Sequence, residues 1–134
     1  MSTNVREQGL AVLMELLPEV LSDKRLMQAM SGGAFAAGLG ELTLDTVFGS
    51  IWTRPGLDRR SRSLVTLGVL IALRAEDELK LHFPIGLRNG LSRQELEEVV
   101  YHAAGYAGFP AAATAGRIGR EVLDQAKPLS ELVK

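Results

Sequence analysis

The sequence predicts an all-α protein, and three observations support this. Of the 134 residues, 46% are hydrophobic but only 5% are aromatic, so the core must consist mainly of Leu, Val, Ile and Ala. That composition suits close-packed helices better than a sheet sandwich. Apolar residues recur at helical spacing, and residues typical of helix starts and stops separate these stretches. The length fits one domain, which we expect to cover residues 1–134.

The first two helices are predicted from their terminal residues. Asn4 and Glu7 have the spacing of an N-cap residue and its reciprocal partner, so the first helix should begin there. Pro18 should bend or end this helix. Ser22 can cap a short second helix, which the Gly32-Gly33 pair should end.

The middle of the chain predicts a short helix, a loop and a long helix. The short helix should span about Leu42–Phe48, and a Pro-Gly turn marks Ser50–Leu57 as a loop. Asp58 is well placed to cap a helix that runs to about Arg74. Because Leu64–Leu73 is apolar on nearly every side, we expect this to be the buried central helix.

The last three helices have the clearest predicted boundaries. One should run from about Glu76 to Arg88 and end at Asn89-Gly90, a typical left-handed stop. The sequence Ser92-Arg93-Gln94-Glu95 is a capping box, which should start a helix that runs to about Ala107. Pro110 should open the final helix. The whole chain therefore predicts six or seven helices.

Composition and charge exclude several classes of protein. A net charge of −1 and a pI near 6.1 argue against a nucleic-acid binder. The absence of cysteine excludes disulfides and thiol chemistry, and two histidines rarely form a metal site alone. The first residues lack a secretory signal pattern, and the apolar stretch Ser63–Leu73 is far shorter than the ~20 residues of a membrane span. We expect a cytoplasmic protein with no metal, membrane or nucleic-acid partner.

The strongest candidate for chemistry is the pair Glu78 and His82. They lie four residues apart and so share one helix face, where the carboxylate can orient the imidazole and favour its protonated form. A general acid or base needs such a pair, and we expect the ring to open into a sheltered cavity. An ordinary surface ion pair, or a buried histidine held by a neighbour, is the structural alternative. Pro84 cannot donate to the carbonyl of Lys80, so the helix should kink nearby.

A second candidate pair is Glu98 and His102, with Tyr106 one turn later. Glu98 belongs to an acidic run with Glu95 and Glu97, and such runs are typical of a solvated face. This structural alternative is therefore the stronger interpretation of the pair.

Trp52 and Arg54 form a third candidate, beside the Pro-Gly turn. A Trp next to an Arg can bind an anionic ring compound, because guanidinium pairs well with carboxylate. A Trp that anchors a subunit interface is the alternative. Of the arginines near Asp58, Arg62 faces the helix body more than Arg59 and Arg60.

Five ordered segments stand at fitting spacing, namely Ile51-Trp52-Thr53-Arg54-Pro55-Gly56-Leu57, Arg62-Ser63-Leu64, Glu78-Leu79-Lys80-Leu81-His82, Asn89-Gly90 and Tyr106-x-Gly108-x-Pro110-Ala111-Ala112. Together they resemble the carboxymuconolactone decarboxylase family, in its cysteine-free decarboxylase branch. The resemblance implies an alkylhydroperoxidase-like orthogonal helical bundle. Related alkylhydroperoxidases carry a Cys-x-x-Cys pair ahead of a histidine, and the corresponding positions here are Ala75 and Glu78.

The family implies decarboxylation of an unsaturated carboxylactone, similar to 4-carboxymuconolactone, without a cofactor. Loss of carbon dioxide leaves electrons that the conjugated carbonyl accepts, and a carbon must then be protonated. The resemblance makes His82, oriented by Glu78, the expected acid. Substrate binding is then expected from Arg54, Trp52, Arg62 and His102. A homo-oligomer, a trimer or hexamer with sites near subunit contacts, is also implied.

Two departures from the family pattern keep other functions open. Pro84 stands near the place where the decarboxylases tend to carry an arginine, and His102 stands where glutamine is common. A less charged lactone or another carbonyl acid would fit the more apolar surroundings. The alternatives are an isomerase, dehydratase or cyclase on the same fold, and a non-catalytic oligomeric binding protein.

Overall fold

The computed structural model describes residues 2–19, 24 and 33–124. In that part of the chain it contains six α-helices and one π-helix, and no strand. The all-α prediction is therefore confirmed. The chain forms two compact units, residues 1–58 and residues 59–134, which are described separately.

The first unit contains α1 (Ser2–Leu16), α2 (Gly38–Leu42) and a π-helix (Thr43–Ile51) that continues directly from α2. Helix α1 begins two residues before the predicted cap at Asn4, because a capping pattern fixes a helix start only to within a residue or two. Its end at Leu16 agrees with the expected stop at Pro18. The second predicted helix, from Ser22 to Gly32, lies outside the described residues.

The π-helix packs closely against α1. A Cβ atom added to Gly9 would lie 2.1 Å from the carbonyl oxygen of Leu44, and one added to Gly49 would lie 2.5 Å from that of Val5. The backbone N–H of Trp52 donates to the carbonyl of Val47, five residues earlier, at 2.8 Å. Hydrophobic spacing does not distinguish this wider helix from an α-helix, and the predicted range of about Leu42–Phe48 covers only its first part.

The second unit contains four helices, labelled α3 (Arg59–Leu73), α4 (Glu76–Arg88), α5 (Arg93–Ala107) and α6 (Phe109–Asp124). Their predicted boundaries are correct to within about two residues. The capping box is present, since the N–H of Glu95 donates to Ser92 Oγ at 3.0 Å and the N–H of Ser92 donates to Glu95 Oε1 at 2.9 Å. Gly90, at φ +98°, occupies the left-handed conformation that follows the end of α4.

These four helices share one core of buried aliphatic side chains around Phe83. A Cβ atom added to Gly119 of α6 would lie 3.3 Å from the Phe83 ring, so α4 and α6 approach closely there. The core consists of Leu67, Ile71, Leu79, Phe83, Leu91, Leu96, Ala111, Ala115 and Ile118.

The prediction that α3 is buried on nearly every side is wrong. Only Ser63, Leu67 and Ile71 are buried on this helix. The side chains of Val65, Val69 and Leu73 are 59%, 51% and 71% exposed. Helices α4, α5 and α6 pack against α3 on the side of its buried residues, and none of these three helices covers the apolar residues on its opposite side. We call Val65, Val69 and Leu73 the apolar ridge of α3.

Helix α4 continues through Pro84 from Glu76 to Arg88 without interruption. Its buried face consists of Leu79, His82, Phe83, Ile85 and Gly86. In the described residues, no helix combines the length and the apolar character that crossing a membrane requires.

Candidate active site

His82 is a buried imidazole in the middle of α4. Its side chain is 9% exposed, and this burial lowers the pKa of the ring from 6.5 to about 4. The ring is therefore neutral at neutral pH. Within the described residues its buried Nδ1 atom makes no hydrogen bond, whereas the residue as a whole does have an interaction.

Glu78 does not make the predicted contact with His82. It is exposed, and no described residue forms a hydrogen bond or ion pair with it. Residues four apart on a helix differ by about 40° in direction, which is enough here to bury one and expose the other. The lowered pKa of His82 is caused by burial, which disfavours the charged ring. The structure thus gives no support to the expected protonated, acid-oriented ring in the free protein.

His102 lies in a different setting, in a groove of about 730 Å³ between α3 and α5. Its ring packs on Tyr106 with centroids 5.1 Å apart and planes inclined by 33°. Arg60 and Glu95 form an ion pair among the residues that line the groove. The rest of the lining is mainly apolar, namely Leu64, Gly68, Ala72, Val99, Ala103 and Ala107, with Glu98, His102 and Tyr106 as its other polar or aromatic members.

A second, smaller cavity of about 210 Å³ lies between α5 and α6. Phe83 forms part of its wall, with Tyr101 and Arg120. His82 lines neither this cavity nor the larger groove. The expected sheltered cavity beside His82 therefore stays a prediction, whereas the expected burial of the ring is found.

Trp52 and Arg54 belong to the first unit. Trp52 is only 5% exposed, and its ring stacks on Phe48 with centroids 6.4 Å apart and planes 20° apart. This burial gives Trp52 a packing role in that unit, so its contact with a substrate stays a prediction. Arg54 is exposed in the turn after the π-helix.

Arg62 lies in the first turn of α3 and is partly buried, as is Arg59, whereas Arg60 is exposed. Its carbonyl accepts a hydrogen bond from Thr66 Oγ1 at 2.8 Å. In the described residues, no group of three or more His, Cys, Asp or Glu side chains has an arrangement that could hold a metal ion.

Sequence reasoning missed a polar contact between α3 and α4. Nδ2 of Asn89 donates a hydrogen bond to Oγ of Ser63 at 2.8 Å, and Ser63 is 1% exposed. Both residues stand in segments that carried the family resemblance, but neither was assigned a role. A serine in the otherwise apolar face of α3 was the available signal.

Comparison with known proteins decides the family. The model of the carboxymuconolactone decarboxylase family matches residues 37–121, which is more than half of the chain. The chain belongs to this family. The match includes residues of both units and all six predicted site residues. The alkylhydroperoxidase-like helical fold expected from the resemblance is the fold of this family.

Three relatives carry the comparison further. A 4-carboxymuconolactone decarboxylase of Acinetobacter baylyi is 38% identical over 117 residues, which cover 87% of this chain and 84% of that protein. A nitrosuccinic acid decarboxylase of Metarhizium robertsii is 47% identical over 70 residues, covering 52% of this chain and 49% of that protein. An uncharacterized 15.0 kDa protein of Paracoccus denitrificans is 30% identical over 81 residues, 59% of this chain and 60% of that protein.

Proposed function

We propose that this protein is a carboxy-lyase that needs no cofactor and releases carbon dioxide from a small organic acid. The observation that carries the proposal is the likeness to two decarboxylases, one of which matches most of the chain. Their names contain a lactone acid and a nitro acid. Both kinds of substrate hold a carboxylate on a carbon whose electron pair can delocalise into a carbonyl or nitro oxygen. The first candidate substrate is 4-carboxymuconolactone.

The reaction needs two things from the protein. When the bond to the carboxylate breaks, its electron pair moves into the conjugated system, and the oxygen that gains charge needs a hydrogen-bond donor or a cation. A carbon of the conjugated system then takes a proton, which a positioned acid supplies.

His82 is our candidate for the group that delivers the proton. It is neutral in the free protein, because burial lowers its pKa to about 4. An anionic substrate next to the ring favours the imidazolium and raises that pKa, so His82 takes up a proton from solvent as substrate binds. After carbon dioxide leaves, the ring gives this proton to carbon and returns to its neutral form. Low exposure of the ring also limits competing contact with water.

The remaining predicted residues have supporting roles in the proposal. Arg54 and Arg62 are the candidates for binding the carboxylate or the developing oxyanion, because a guanidinium is permanently charged. Trp52 and His102 stay candidates for contact with the substrate. Glu78 stays a candidate only for a role in the bound state, since it is exposed in the free protein.

We also propose that the protein is a cytoplasmic homo-oligomer, a trimer or hexamer, whose chain functions as one domain. The apolar ridge of α3 supports the oligomer, because Val65, Val69 and Leu73 are exposed without a charged residue between them. The adjoining groove is floored by small residues such as Gly68 and Ala72, into which the ridge of a second copy can pack.

A direct assay tests the proposed activity. Purified full-length protein is incubated with 4-carboxymuconolactone and, separately, with nitrosuccinate, and released carbon dioxide is measured after pretreatment with a chelator. We expect release from at least one of these acids, with one solvent deuterium in each product molecule formed in heavy water. Deuterium uptake without loss of carbon dioxide would support the isomerase alternative. If the protein causes neither carbon dioxide release nor deuterium uptake at saturating concentrations of both acids, the lyase proposal is refuted.

A further inference from the structure

The contact between Ser63 and Asn89 joins the N-terminal part of α3 to the C-terminal end of α4. Asn89 Nδ2 donates to Ser63 Oγ at 2.8 Å. In the described part of the chain, Ser63 and His82 are the two polar residues that are buried. A buried hydroxyl is costly when it lacks a partner, so the bond favours one placement of Asn89 against α3.

This bond is one of two contacts that describe the register of α4 along α3. Ser63 contacts Asn89 while the later residue Leu67 lies at the earlier residue Gly86, so the two helices run in opposite directions here. One turn beyond Ser63, Leu67 faces Gly86, where an added Cβ would lie 3.6 Å from Leu67 Cδ1. The next turn in the same direction brings Ile71 of α3 level with His82 of α4.

His82 and Asn89 lie on the same face of α4. They are seven residues apart, which corresponds to about 10 Å along the axis and a rotation of about 20°. Helix α4 is continuous through Pro84 up to Arg88, so a shift of its end at Asn89 has a direct route to the ring of His82. The ring is 9% exposed with the end of α4 held in this position.

We propose that the hydrogen bond between Ser63 and Asn89 is a positioning contact of the active site, which holds α4 in the register that buries His82. The inference rests on the proposed function, because it assigns the two residues a role through His82. Neither residue touches the substrate in this account. They act only on the depth and direction of the imidazole.

Three variants and one matched control test the proposal. Ser63→Ala and Asn89→Ala each remove the bond, and the double variant shows whether the two changes act through the same contact. Thr66→Val is the control, because it removes a hydroxyl from the same helix that donates to the Arg62 carbonyl of α3 itself, at 2.8 Å. For each variant we would measure kcat, KM, the free energy of unfolding and the His82 pKa by NMR titration of its Cε1 proton.

We expect each single variant to lower kcat about tenfold or more with KM changed less than about twofold, since small displacements of a reacting group cost that much. The double variant should lose no more than either single one. The His82 pKa should rise by about one unit or more towards 6.5 as the ring becomes more hydrated. Thr66→Val should leave kcat and the His82 pKa unchanged.

A purely structural bond gives a different result. If Ser63→Ala and Asn89→Ala lower stability but leave both the His82 pKa and kcat at wild-type values, the proposal is wrong. The NMR titration needs no catalytic turnover, so it tests the positioning role of the bond even if the lyase proposal fails. A wild-type protein that releases no carbon dioxide refutes the lyase, while the pKa of the variants still decides whether the bond positions the ring.

Discussion

The two histidines of this chain lie in opposite surroundings. His82 is buried in α4, where loss of water lowers its pKa to about 4. His102 is exposed on α5, stacked on Tyr106 in a wide and largely apolar groove. Burial changes the pKa of His82, whereas His102 presents its ring to the groove. The comparison therefore separates our candidate for proton transfer from a candidate contact with the substrate.

The largest expected effect separates the two histidines directly. His82→Gln should lower kcat for carbon dioxide release by about 10²–10⁴-fold, because positioned proton transfer contributes about that much. His102→Gln, which changes a surface contact, should lower kcat less than about tenfold. Circular dichroism confirms that both variants fold. Equal losses in the two variants would remove the distinction between the sites.

The next prediction concerns stability at low pH. The unfolded chain takes up a proton on residue 82 near pH 6.5, whereas the folded protein takes it up only near pH 4. The unfolded state therefore binds more protons in this window, and stability falls as the pH falls through it. At pH 4 this contribution amounts to about 3 kcal/mol relative to pH 7.

Urea unfolding at pH 7 and pH 4 measures this effect. The wild type should lose more stability between these values than His82→Gln does, by about 3 kcal/mol, because other titrating groups cancel in the comparison. The same loss in both proteins would mean that His82 is solvated in the native state.

The oligomeric state of the protein tests the proposed role of the apolar ridge of α3 and the adjoining groove. Val69→Glu places a charge on the apolar ridge of α3 and should convert an oligomer into a smaller species at micromolar concentration. Leu87→Glu, on a 38% exposed residue of α4, is the matched control and should leave the mass unchanged. Light scattering after size exclusion measures both. A wild-type monomer would refute the oligomer, and an unchanged Val69→Glu oligomer would exclude the ridge as its interface.

The smallest expected effect is at Glu78. Because this carboxylate is exposed and makes no contact with a described residue, Glu78→Gln should change kcat less than about threefold and leave the His82 pKa within about half a unit. Steady-state kinetics and the NMR titration check both values. A loss close to that of His82→Gln would show that the carboxylate moves onto the ring when substrate binds.

Local signals predicted helix boundaries well and burial poorly. The caps at Ser92 and the stop at Gly90 depend on nearby backbone geometry, so residue type alone indicates them. The π-helical hydrogen bonds before Trp52 leave no such mark. Spacing also placed Glu78 and His82 on one side of a helix, but the packing of α3 and α4 decides which one is buried. The partner of Ser63 lies 26 residues away along the chain, beyond the reach of any local pattern.

The same limit applies to the apolar face of α3. A helical stretch without charge indicates that other residues cover it. The sequence analysis expected this cover to come from the other helices of the same chain. In the structure these helices cover only the side that carries Leu67 and Ile71. Whether a second copy covers the rest is a property of the assembly, which periodicity within one chain does not encode.

The most direct test of the account is an NMR titration of His82 in the wild type, with and without a saturating, non-reactive anionic analogue of the substrate. The account predicts a pKa of about 4 in the free protein and a clear rise towards neutrality when the analogue binds. A pKa at or above 6.5 in the free protein, or no change at saturation with the analogue, would contradict it.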